Sequence, residues 1–238
     1  VARNWIREWI ETGCVTHNLT HVHSFDPASL KPADLETAAR LARNLKRRKA
    51  ILGVFDEGCM GMYNAIIDDE LLNPAGIFKE RLSQSALVAS MKTVPLEEAQ
   101  AVYTWLTNRG MRFQLGTDST TELTLTQVLD QCRMYIAALR IADEFGCDAI
   151  GIQYQQGLKD MVPASDLCEG LLNNQDRPPV TREGESSELF AGGPLPTFNE
   201  VDEGAGVDAL VTNRVWTALG LDPSTTLHDI RWGEEFHL

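Results

Sequence analysis

Residues 50–67 read AILGVFDEGCMGMYNAII. The run Ala50–Phe55 is short, continuous and apolar, the pattern of a parallel strand buried on both faces. It leads into the glycine-containing loop DEGCMGM and then into a predicted helix over 63–67. Strand, loop and helix in that order form the unit of an α/β domain, which binds ligands outside the carboxyl ends of its strands. The loop is not a dinucleotide fingerprint, because GxGxxG is absent. A Gly-rich turn after a strand is more often simply a turn.

The same alternation continues outward. A more polar strand is predicted over Ile77–Leu82, then a short helix over 86–91. A further helix over 96–106 is led by Pro95 and opens with Glu97 and Glu98, before Gly110 stops it. Residues 111–115 read as a strand. The longest helix, 124–145, carries Val128, Cys132, Tyr135, Leu139 and Ala142 on one stripe and ends at Gly146. Residues 149–154, AIGIQY, form the next buried strand, followed by a helix over 167–172. The stretch 173–194 is rich in Pro, Gly, Ser and Glu and is expected to be the mobile segment. A short strand over 197–200, a helix over 206–219 and a last strand over 227–232 complete the series. Upstream, 1–11 reads as a helix end with Trp5, Ile6, Trp9 and Ile10 at helical spacing. Residues 15–25 read as a strand end and loop. Pro32–Arg48 is a helix closing on Lys46, Arg47, Arg48 and Lys49, where its dipole favours cations. The series predicts a Rossmann-like parallel sheet flanked by helices, with partial flanking domains.

Composition narrows the function classes. The 238 residues are 43% hydrophobic, enough for a buried core, and carry 34 Asp+Glu against 21 Lys+Arg, a net charge of −13. Such a field repels phosphate backbones and anionic lipid, so neither nucleic acid nor membrane is expected as a partner. No apolar run is long enough to span a bilayer, and the first residues lack a signal-peptide core. The 5 cysteines form no CxxC pair, which fits a reducing compartment and hence cytoplasm. Val1 and Leu238 read as the ends of an internal piece of a longer protein; a trimmed or processed chain would look the same.

Carboxylates supply the candidate chemistry. Glu200, Asp202 and Glu203 stand at the mouth of the 206–219 helix, and Asp229 lies in the last predicted strand. Two elements that each bring a carboxylate suit a hard, oxygen-liganded cation such as Mg²⁺ or Mn²⁺. Acidic residues at a helix N-terminus also serve simply to complement the dipole and cap free N–H groups. His21 and His23 would share one face of a strand, yet no partner at ligand spacing accompanies them, and a loop role is the plainer reading. Three predicted strand ends direct Met60, Gln153 and Glu200 to one crevice.

The segments GVFDEGCMGMYNA, GIQYQQG, FNEVDEGAGVDALV and LHDIRW resemble, in this order, the middle region of the L-fucose isomerase and L-arabinose isomerase-like sugar isomerases. The resemblance spans nearly the whole chain and marks it as a divergent member. It implies residues 1–47 as the end of a first α/β domain, 48–215 as a second Rossmann-like domain and 216–238 as the start of a C-terminal domain. It further implies Glu200 and Asp229 as metal ligands and catalytic carboxylates, and Gln153 and Met60 as substrate contacts. Mn²⁺ or another divalent cation, a sugar substrate and a homo-oligomer come with it. The family's third ligand, a His, would lie beyond Leu238. His237 is too close to Asp229 in sequence to serve.

That resemblance implies aldose–ketose isomerisation of a pentose or 6-deoxyhexose, a proton moving between C1 and C2 through a metal-stabilised ene-diol. Without the third ligand the chain alone is expected to be inactive. Should Glu200 not be the ligand, Glu203 and then Asp202 are next. His228 would be the first candidate to stand in for the missing His. The alternative is a non-catalytic sugar-binding α/β module, which would keep Gln153 and Met60 but need neither carboxylate.

Overall fold

The computed structural model describes residues 2–58, 61–155, 157–200 and 202–225. The chain divides into two compact units, Val1–Thr37 and Ala38–Leu238. In the first, α1 (Ala2–Thr12) ends at Gly13, whose φ of +75° is open to glycine at no steric cost. No strand forms over 15–25. The Asn18 side chain accepts the Thr20 N–H at 3.0 Å, and the Val22 N–H closes on Leu19 O at 2.9 Å. Local bonds therefore take up donors that a ladder would need. Asp26 caps a single 3₁₀ turn, Pro27–Ser29, and α2 (Pro32–Arg48) begins here and continues into the second unit.

The second unit is built on a four-stranded parallel sheet of β1 (Ala50–Phe55), β2 (Ile77–Leu82), β3 (Ala149–Ile152) and β4 (Thr197–Asn199), in the order β2-β1-β3-β4. Its helices are α3 (Asp69–Leu72), α4 (Gln84–Thr93), α5 (Leu96–Asn108), α6 (Leu125–Glu144), α7 (Asp166–Leu172) and α8 (Glu203–Leu219). Side-chain alternation along the strands sends Phe55, Leu82, Ile150 and Ile152 into a core with α4, α5, α6 and α7. Ala50, Leu52, Val54, Ile77 and Ala149 go to the other face, with Leu72 of α3 and Leu210 of α8. Both faces are covered, as an all-parallel sheet requires. The fold is thus α/β, a parallel sheet flanked by helices, consistent with a Rossmann-like arrangement.

Phe198 locks α8 to the sheet. A Cβ on Gly151 would fall 2.1 Å from its ring, and one on Gly206 would fall 2.4 Å from it. Both neighbours must be glycine for β3, the ring and the first turns of α8 to approach this closely.

Three further local expectations change. Residues 63–67 form only the 3₁₀ turn Tyr63–Ala65, and the helix that follows is α3. Residues 111–115 are irregular, with Phe113 packing on Tyr103 of α5 at 5.3 Å rather than joining the sheet. The stretch 173–194 is a strap pinned to the core at either end, with 182–188 exposed between. Val180, Leu189 and Leu195 are buried in the core, and Arg177 donates to the carbonyls of Leu189 and Phe190 at 2.9 and 2.8 Å and to the Tyr135 hydroxyl at 2.9 Å. Asn173 covers the outer edge of β4: its amide donates to Thr197 O at 2.8 Å and accepts from Thr197 N at 2.7 Å. Among the described residues no helix is long and apolar enough to cross a membrane.

Candidate functional site

The strand order fixes where a ligand can enter. From β1 the chain crosses to β2 on one side, then returns past β1 to β3 on the other. Loops leaving the carboxyl ends of β1 and β3 therefore part, and the crevice between them is the switch point. Register brings the strand ends level, with Phe55 opposite Leu82 and Ile152, and Ile152 opposite Asn199. One residue further on, the Asp56 N–H donates to Leu82 O at 2.9 Å. Gln153 N donates to Phe55 O at 3.3 Å, and Glu200 N to Ile152 O at 3.0 Å. Asp56, Gln153 and Glu200 thus form one row across the rim. Asp56 and Glu200 both turn with positive φ, +60° and +54°, so each chain leaves its strand abruptly.

Gln153 is fully buried. Its Nε2 donates to Gly58 O at 3.1 Å, and its own carbonyl accepts from the Gln84 side chain. It is therefore fixed against the loop after β1. Glu200 is half-buried, and Oε1 accepts from Gln155 Nε2 at 2.9 Å. Met60 and Asp229 lie outside the described residues, as do His228 and His237. His21 and His23 are exposed and in no strand.

Glu203 is not an available ligand. It is fully buried; Oε2 accepts from Ile67 N at 2.7 Å and both oxygens face Lys79 Nζ at 3.1–3.2 Å. The Lys79 side chain is 1% exposed, pairs also with Glu57 and donates to Ile67 O at 2.8 Å. Arg81 completes the cluster, reaching Glu57 at 2.8 Å and Asp69 at 3.2 Å. Burial works to lower the Lys79 ammonium, but its bonds to Glu57 and Glu203 outweigh that and hold it above the usual range. Burial likewise works to raise Glu57, and there the bonds from Lys79 and Arg81 win and pull it down. For Glu203 burial prevails over the Ile67 N–H and Lys79, and its carboxyl is raised.

Glu169 of α7 is a second buried carboxyl beside the rim. Ser165 Oγ bonds Oε1 and Asn199 Nδ2 bonds Oε2, both at 2.6 Å. Burial pushes it up to about 7, the two hydrogen bonds pull it down, and Asp166 and Glu200 add to the rise. The sequence reading missed Lys79, Glu57 and Glu169. For Lys79 a signal existed: it is two residues from Ile77 on the same strand face, and a lysine there needs a buried partner.

The donor set fits a hard cation in part. Glu200 offers a carboxylate at a strand end, hydrogen-bonded among the described residues only by Gln155. Among the described residues no group of three or more His, Cys, Asp or Glu side chains could hold a metal ion. The chain matches no family model. It matches no curated protein.

Proposed function

We propose that this chain forms part of the active site of a metal-dependent aldose–ketose isomerase acting on a pentose or a 6-deoxyhexose. The observation that carries the reading is the row of Gln153, beside the switch point, and Glu200 one strand further on, level across β3 and β4. Glu200 with Asp229 would hold a divalent cation such as Mn²⁺, which when bound would stabilise charge on the two substrate oxygens of an ene-diol. The Glu200 carboxylate would move a proton between neighbouring carbons. Gln153, fully buried and bonded to the Gly58 carbonyl, would act on the sugar through the loop after β1 that it holds. Assembly into a homo-oligomer belongs to the same proposal, as does a third ligand from outside the chain.

The test begins with metal. Mn²⁺ titrated into the chain should lose its free-ion EPR signal, and Glu200→Gln should restore that signal. Turnover is then assayed as aldose-to-ketose conversion by the natural protein, with whatever sequence flanks these residues, before and after EDTA. Glu200→Gln should cost at least about a hundredfold in kcat, the lower range for lost acid–base help. Conversion that survives exhaustive chelation would refute the metal role. Sugar binding with no turnover and no metal would instead favour the non-catalytic module.

A further inference from the structure

The buried cluster around Lys79 ties together three pieces of chain that meet at the rim. Glu57 stands two residues past β1, where the connection to α3 begins, and Ile67 stands near its end. Lys79 on β2 bonds the Glu57 carboxylate and the Ile67 carbonyl, so the two ends of that connection are held by one ammonium. Glu203 opens α8, three residues after Glu200, and accepts from Lys79 and from the Ile67 N–H. The turn that carries Glu200 is therefore fastened to the opposite wall of the crevice through Glu203, Ile67 and Lys79. A lysine side chain 1% exposed is costly to bury, and these contacts offset that cost.

We propose that Lys79 is a positioning residue: through Glu203 and Ile67 it sets the Glu200 turn against the loop after β1, so that both walls of the crevice keep one geometry. It touches no reacting atom. It also engages Glu57 and Glu203, whereas no described cation pairs with Asp56 or Glu200, the two carboxylates of the rim row. The consequence for ligand binding rests on the reading of Glu200 as a metal ligand; the mechanical tie does not.

Two variants separate positioning from mere stability. Lys79→Met combined with Glu203→Leu removes the tie and leaves no buried charge unpaired, since Glu57 and Asp69 keep Arg81. Glu203→Gln keeps an acceptor for the Ile67 N–H and is the control. Backbone amide exchange is measured at Ile67, Glu200 and Val128, the last lying in α6 on the other sheet face. In the double variant Ile67 and Glu200 should exchange at least about tenfold faster while Val128 is unchanged, and the control should match the parent at all three. Mn²⁺ affinity should fall about tenfold or more in the double variant, the lower range for losing an outer support of a ligand. Unaltered Glu200 exchange, or equal acceleration at all three amides, overturns the positioning role. If the natural protein with its flanking sequence binds no Mn²⁺, the isomerase reading falls, and Glu200 exchange alone then decides the tie.

Discussion

Glu169 shows how burial near the rim makes a single side chain sensitive to pH. Its carboxyl rises from an ordinary 4.5 to about 7, first because it is buried, against hydrogen bonds from Ser165 and Asn199. The folded state therefore holds this proton more tightly than the unfolded chain does. Stability from that proton is fully present below about pH 4.5 and is lost as pH rises to about 7. The shift corresponds to of order 3 kcal/mol at most. Glu169→Gln keeps the shape and removes the titration. Urea denaturation between pH 4.5 and pH 7.5 should show the parent losing stability relative to this variant as pH rises; parallel curves would contradict the assignment. The positions of Gln153 and Glu200 at strand ends could be read from AIGIQY and PTFNE. The pairing of Lys79 with Glu203, 124 residues apart, could not, because it depends on β2 and α8 meeting across the sheet.

At the scale of elements, continuous apolar runs and capped helices were legible and irregular backbone was not. Ala50–Phe55 and Ala149–Ile152 are buried strands because both faces of the sheet are covered, and such strands need no alternation in sequence. The helix from Leu125 begins at Thr124 with a reciprocal Thr124–Gln127 capping box, a local signal. The strap over 173–194 looked mobile because its composition is that of a loop. What holds it is Arg177, 5% exposed, whose guanidinium takes the place of a ladder by binding carbonyls of Leu189, Phe190 and Gly193 and the Tyr135 hydroxyl. One long-range contact of this kind leaves no periodicity to read. Arg177→Met keeps the apolar stem but orphans those acceptors. It should cost about 1.5–3 kcal/mol, the range for hydrogen bonds to a charged group, and open the strap to limited proteolysis. A variant as stable and as resistant as the parent would show that the apolar residues Val180, Leu189 and Leu195 hold the strap unaided.

For the molecule as a whole, two terms oppose each other at the surface. The net charge of −13 makes copies repel. Against this, α1 exposes Trp5 at 44%, Ile6 and Trp9 at 60% and Ile10 at 70%, an apolar stripe at helical spacing. Repulsion is long-ranged and screened by salt, whereas contact between stripes is short-ranged and is not. Raising ionic strength from about 0.1 M to about 1 M shortens the Debye length from about 10 Å to about 3 Å. Self-association should therefore grow with salt, read as a rising weight-average mass by light scattering or sedimentation. Trp9→Gln with Ile10→Gln should flatten that rise. Both side chains are exposed, so stability should change by only about 0.5 kcal/mol. If the variant associates as strongly as the parent at high salt, the contact lies elsewhere, and the half-exposed Trp105 beside the grooves of about 560 and 410 Å³ along α5 becomes the next surface to substitute.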